Sequence, residues 1–516
     1  MPRSVAEFCQ ALDTTCAASN LRPGHCILID MAPITRRRLV WHTAAAAAAL
    51  RMRPLAALTG EQQNSKPGAP GSAQVDETSI RTLASTTAGR VIVPGAPEYE
   101  SSRLIFNRAF DKRPALIVRC ASSADIARAL VFAQQHQLQV AVRGGGHNRA
   151  GLSVCDGGLV IDLSTLNQVE VDAGKRIVRA EAGALTVHVD SATQRFGLAT
   201  TLAGCPTVGI AGLTLGGGEG FLMSKYGAAC DNLIAAQLVT ADGRQVEASE
   251  SSNPDLFWAI RGGGGNFGIA TTLVYRLHPV TDVLAGTLAY PPGRIPELMQ
   301  AFANFVAAAP DEMNVVGQVL PSEHGVRFQM LVCHCGDQLR GNELLRPMRA
   351  LNPSEDHIRV ASYLQTNATI NPATPGAHFQ TNVFLPVLSA AAIALIAAAT
   401  REAPPDTRLF IVPLYGAITR VRSSDTAFAL RSKGYELDIM GRWTDSAQRL
   451  RAVQWVTDLR DELRPMASGT YVNQLGETSE DLVRTAYGPN YPRLAAIKKK
   501  YDPNNVLRSN QNVIPR

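Results

Sequence analysis

Arg143-Gly144-Gly145-Gly146-His147-Asn148 and Gly204-Cys205-Pro206-Thr207-Val208-Gly209 decide how this chain folds and what it binds. Each sets one nucleophilic side chain beside backbone with almost no bulk. Consecutive glycines let main-chain N–H groups close on an anion, most often a pyrophosphate. The apolar run at 139–142 reads as a strand leading straight into the first glycine loop. That places the loop at a strand's carboxyl end, a usual position for a phosphate. Alone, a glycine triplet is a loop and a cysteine is a small buried residue. Their joint occurrence, in this order, points to a cofactor.

Outward from these loops the chain alternates short strands and helices. Residues 115–119 read as a strand, followed by a helix with Ser123 as N-cap, Asp125 in its first turn, and Ile126, Leu130 and Ala133 on one face. Residues 158–162 and 177–181 are further strands, 186–196 a helix ending at Gly197, and 233–248 a hairpin around Ala241-Asp242-Gly243. From about 285 to 465 glycine-rich loops nearly vanish. There, helical stretches (295–309, 339–351, 389–401, 446–463) alternate with strand-like runs (315–320, 327–333, 408–414, 435–442), which implies an α+β domain with an antiparallel sheet. The stretch 61–90 is polar and rich in breakers, so it reads as a linker, with order expected from Val91.

Gly263, Gly265 and Gly268 satisfy the dinucleotide spacing G-x-G-x-x-G. That motif needs a strand before it, a helix after it and an acid about 20 residues on. Here a strand-like run follows and 286–294 contains no acid, so a Rossmann site is excluded.

The 516 residues are 46% hydrophobic and 18% charged, enough for two or three domains. The net charge of +6 is uneven: residues 1–60 hold seven arginines against Glu7, Asp13 and Asp30, leaving +2 for the rest. A nearly neutral body carries no electrostatic footprint for nucleic acid. Nine scattered cysteines make no disulfide framework. Cys333-His334-Cys335 lies in an alternating run with no second pair at zinc-like distance, so no metal is expected. After residue 60 no apolar run is long enough to span a bilayer.

The pair of loops, with the ending Tyr501-Asp-Pro-Asn-Asn-Val-Leu-Arg-Ser-Asn510-Gln-Asn512, resembles the berberine-bridge-enzyme-like FAD-linked oxidases of the vanillyl-alcohol-oxidase/PCMH-type superfamily. The resemblance covers residues 90–280 and 470–516. It implies an α+β fold in which a two-part PCMH-type FAD-binding domain (91–280, with a C-terminal return at 471–516) joins a substrate-binding domain (281–470) whose antiparallel sheet is covered by helices. It also implies FAD bonded covalently to His147 and Cys205. Arg143 to Asn148, Gly204 to Pro206, Val208, Gly209, Gly212, Gly268, Ile269, Asn510 and Asn512 would then surround the cofactor.

The expected activity is oxidation of an alcohol, hemiacetal or amine-type carbon of a small molecule, with molecular oxygen reduced to peroxide. A dehydrogenase using another acceptor, or an exported flavoprotein without turnover, are the alternatives. Val208, small at the position beside the reduced flavin, favours the oxidase. Tyr471-Val472-Asn473-Gln474 resembles the family's Y-x-N-Y segment, with Gln474 replacing the second tyrosine. Tyr471 is the expected base, provided its neighbours lower a phenolic pKa near 10. Tyr415 and Tyr435, on strands of the middle domain, are the expected substrate-pocket residues. Thr35-Arg36-Arg37-Arg38-Leu39-Val40, ahead of an alanine-rich segment, resembles a twin-arginine export signal, for which Met31 is the better-placed start. Export to the periplasm or beyond is therefore expected, with a cytoplasmic protein as the alternative.

Overall fold

The computed structural model describes residues 75–369 and 374–516. The expected leader, 1–60, lies outside the described residues. The stretch expected as linker is partly helical: Glu77–Thr86 forms a helix because Asp76 caps it, accepting from the Ser79 N–H at 2.8 Å. Leu83 is buried against the first domain.

Three large sheets, with a two-stranded one that pairs Leu198–Ala199 with His278–Pro279, build the described residues. In the first, Arg90–Ile92, Leu116–Arg119, Leu159–Asp162 and Val140–Arg143 lie side by side in that order. The last three are parallel, joined by helix Ser123–Gln135, whose Ile126, Leu130 and Ala133 are buried. Its cap is Ser122, one residue before the expected Ser123, and the Ser122 hydroxyl accepts from the Asp125 N–H. The second sheet is antiparallel, in the order Val169–Asp172, Ile177–Glu181, Ile269–Arg276, Leu233–Val239, Gln245–Ser249. Helix Pro254–Ile260 precedes the 262–268 glycines and strand Ile269–Arg276 follows them, the reverse of a dinucleotide fold.

The third sheet carries eight antiparallel strands, and at one end it runs Met313–Ser322, Thr407–Leu414, Gly434–Trp443 and, at the edge, Ala377–Leu385. Leu409, Ile411, Leu437 and Ile439 pack beneath the helices Ile295–Ala308, Ala390–Arg401 and Ser446–Leu463. One face of the sheet is thus an ordinary apolar core. The opposite face carries Asn382 beside Asp438, and Phe384 beside Glu436, in register. Polar side chains on a buried sheet face need a polar neighbour. Here that neighbour is the 470–474 segment, the start of the C-terminal return.

Helix Tyr491–Tyr501 closes the return onto the first domain. Lys498, fully buried, pairs with Asp502 at 2.6 Å and donates to the carbonyls of Asn266 and Leu507, both at 2.9 Å. Asn266 in turn accepts from the Val513 N–H at 2.9 Å. The glycine-rich 262–268 segment and the last turns of the chain are therefore locked together. Among the described residues, no helix is long and apolar enough to cross a membrane.

Candidate active site

Strand Val140–Arg143 ends beside the central parallel strand, with Arg143 in register with Asp162. The buried Arg143 guanidinium donates to Asp162 at 2.6 Å, so its side chain serves the sheet rather than the cavity. Gly144 then opens the loop. Its neighbour Gly145 meets Gly209 of the second loop backbone to backbone: a Cβ on either would lie 2.3 Å from the other's nitrogen. No other residue fits that crossing. The two sequence motifs are two walls of one cavity of about 340 Å³.

Gly144 to Asn148, Gly204, Cys205, Val208, Gly209, Gly212, Gly268, Ile269, Asn510 and Tyr471 all line this cavity. Pro206 and Asn512 do not line it. His147 stacks on Phe106 at 4.0 Å between ring centres. Its Nε2 lies 3.1 Å from the Thr207 hydroxyl, and the Cys205 thiol lies 3.5 Å from that same oxygen. Burial, with the Arg149 and His378 charges nearby, depresses the His147 pKa to about 3. Its imidazole is therefore neutral, with a free lone pair, at any physiological pH.

Tyr415 and Tyr435 do not reach this cavity. Tyr415 is buried in the core under the third sheet and its hydroxyl donates to the Met313 carbonyl; Tyr435 packs against the same core. Alternation explains the miss: odd-numbered residues of strand Gly434–Trp443 face the helices, and even-numbered ones face the first domain.

Those even positions are Glu436 and Asp438. Both are buried, and with Glu219 of the cavity wall they form a carboxyl cluster. Burial raises all three pKa values well above the ordinary carboxylate range, and mutual repulsion pushes Glu436 further. Neither Glu436 oxygen has a protein donor among the described residues, as expected of carboxyls that share protons. Glu219 follows Gly216-Gly217-Gly218, and acids at alternate positions of an apolar strand mark the other two. Both signals were present in the sequence.

The Tyr471 hydroxyl accepts from the Gly218 N–H at 2.8 Å and from Asn473 at 2.9 Å. Burial, then the Glu219 charge, raises its pKa well above that of a free phenol. A phenolic base needs the opposite shift. Gln474 accepts from Arg149 Nε at 3.1 Å and from Gln380 at 2.9 Å.

The residues present suit FAD. The crossing of Gly145 and Gly209 leaves bare main chain for a pyrophosphate, and the Asn510 and Gln511 side-chain oxygens, in the lining, lack protein partners among the described residues. A two-part FAD-binding domain facing an antiparallel sheet defines a PCMH-type FAD oxidoreductase. Residues 114–249 match the family described as FAD binding domain, and 470–514 the one described as berberine and berberine like. The chain is 30% identical over 440 residues to the FAD-linked oxidoreductase YgaK of Bacillus subtilis, covering 83% of this chain and 97% of that one. It is likewise 30% identical over 455 residues to (R)-6-hydroxynicotine oxidase of Paenarthrobacter nicotinovorans, covering 83% and 97%. The crystal structure of 6-hydroxy-D-nicotine oxidase from Arthrobacter nicotinovorans superposes with a TM-score of 0.77 at 28% identity, over 84% of this chain and 99% of that one. Berberine bridge enzyme from Eschscholzia californica shares the fold, with a TM-score of 0.76 at 22% identity over 85% and 99%. The chain belongs to the berberine-bridge-enzyme-like family of FAD-linked oxidoreductases.

Proposed function

We propose that the protein is an oxidase carrying FAD bonded to both His147 and Cys205, which oxidises an alcohol, hemiacetal or amine-type carbon of a small molecule. The observation that carries this reading is the convergence of a neutral imidazole and a thiol on one hydroxyl, Thr207, at the cavity wall. Bound FAD would supply the hydride acceptor, with oxygen as the final acceptor and peroxide as its product. Thr207 engages Nε2, which leaves Nδ1 as the nitrogen that makes the bond. Val208, in the wall, takes little of the space beside the ring system.

The substrate's proton goes to Glu219. It faces the cavity, its raised pKa lies nearer neutrality than an ordinary carboxylate's, and Glu436 and Asp438 behind it spread the charge. Tyr471, the base expected from the family segment, serves as a neutral phenol that holds Gly218 and Asn473 in place. An exported protein fits the paired arginines of the leader. Fractionation of the full-length chain and of an Arg36/Arg37→Lys variant tests that reading.

The central experiment is acid precipitation of the purified protein, followed by a panel of sugars, secondary alcohols and cyclic amines. Pellet-bound flavin, substrate bleaching and stoichiometric peroxide are the expected results. Flavin that washes out overturns the covalent reading. Bleaching without peroxide assigns a dehydrogenase, and no bleaching by any compound assigns a flavoprotein without turnover.

A further inference from the structure

Arg149 is the one lysine or arginine lining the cavity, and it has no carboxylate within salt-bridge distance among the described residues. Its Nε donates to Gln474, whose oxygen is held in place by Gln380. The two terminal Nη groups have no protein acceptor among the described residues. Desolvation lowers the guanidinium's pKa, and the Asp438 charge, not bonded to it, offsets this only in part. Arg149 is half-buried; a cation drawn partly out of water is costly unless it is paired, and a planar fork with free Nη groups suits a carboxylate held by two bonds.

The partner of the guanidinium separates this anion from the cofactor's own phosphates: Arg149 Nε is held by Gln474, not by the glycine crossing of Gly145 and Gly209. Arg149 lies beyond His147, away from the Gly144–Gly146 end of the loop. Gln474 and Gln380 hold it from the side of the third sheet, and Gln380 belongs to strand Ala377–Leu385. Glu219, on the cavity wall, has Asp438 of the third sheet in the carboxyl cluster behind it.

We infer that Arg149 is the specificity residue of this site and that the substrate carries an acidic group, a carboxylate or an ionised phenol or enol, seated on its free Nη pair. Gln474 is the positioning residue: a tyrosine there would offer one hydroxyl and no fixed carbonyl to hold the guanidinium edge-on. This inference rests on the FAD-oxidoreductase reading for where the substrate lies.

The test compares benzoate with benzamide, its neutral isostere, by perturbation of the flavin absorption of the purified holoprotein and by calorimetry. Benzoate binding at least tenfold tighter than benzamide is the expected result. Arg149→Met abolishes that preference, Arg149→Lys keeps part of it, and Gln474→Leu weakens benzoate alone. Equal affinity for the two probes, including no binding of either, overturns the proposal, as does an Arg149→Met variant that binds benzoate within twofold of wild type. An Arg149→Met variant that loses flavin while keeping the probe preference would assign the guanidinium to the cofactor and also overturn it. If the isolated protein holds no flavin, calorimetry still reads the probe preference, so the functional reading and this one fail separately.

Discussion

The Nε2 of His147 lies 3.1 Å from the Thr207 hydroxyl, 60 residues further along the chain. That contact brings the two glycine loops into one site, because Thr207 is also the neighbour of Cys205. Denatured wild-type protein is expected to stay yellow. His147→Ala and Cys205→Ala each retain one linkage, and the double variant releases its flavin on denaturation. Thr207→Val keeps the shape but removes the hydroxyl, and is expected to slow attachment at His147 more than at Cys205. Mass spectrometry of flavin-bearing peptides checks this; full occupancy of His147 in Thr207→Val at the wild-type rate contradicts it.

Proton transfer separates Glu219 from Tyr471. Glu219→Gln is expected to slow anaerobic flavin reduction by a factor on the order of 10² to 10⁴, the usual worth of a general base. Tyr471→Phe removes a hydroxyl that only accepts hydrogen bonds and is expected to slow it by less than about tenfold. Single-turnover reduction across pH measures both. A loss of about 10² or more in Tyr471→Phe would return the base to the phenol.

Stability should report the carboxyl cluster without any substrate. A carboxyl whose pKa is raised by folding favours the folded state below its ordinary value near 4, and loses that contribution as pH rises through the raised one. Glu436, raised by burial and by Glu219 and Asp438, is such a group. Glu436→Gln cannot ionise, so its Tm minus that of wild type should grow steadily from pH 5 to pH 8. A constant difference across that range would mean that Glu436 titrates no differently when folded.

The loop crossing allows no side chain. Gly145→Ala would set a methyl 2.3 Å from the Gly209 nitrogen, and backbone cannot yield as a flexible side chain would. A destabilisation of about 3 kcal/mol is expected, at the upper end of ordinary overpacking. Flavin content should fall with it. Urea unfolding that shows less than about 1 kcal/mol of loss would show that the loops can part.

Lys498→Met leaves Asp502 buried without its cation and the Asn266 carbonyl without its donor. Breaking a buried pair from one side costs about 3 to 5 kcal/mol. Loosening should begin at the C-terminal return, and limited proteolysis after residue 490 reads it directly. A variant as resistant to protease as wild type would show that the return is held elsewhere.

The sequence by itself determined most of what is local. Glycine runs, strand and helix periodicity, and the order of the two loops follow from residue type. Strands such as Ile177–Glu181 and helices such as Ser446–Leu463 accordingly fall at their expected bounds. Several strands escaped, and the two longest of them did so for physical reasons. Asp282–Ala289 is built from weak strand formers around Gly286, which packs against the His357 carbonyl. In Ala377–Leu385 the polar alternation faces a buried partner rather than water, so its pattern resembles that of no simple amphipathic strand.

Only the tertiary structure decided which face of strand Gly434–Trp443 meets Glu219 of the cavity wall. A step of one residue exchanges Tyr435 for Glu436, and packing alone sets that register. The same holds for the pKa values. Tyr471 and Glu219 owe theirs to burial and to charges more than 200 residues away in sequence, and no local pattern encodes either.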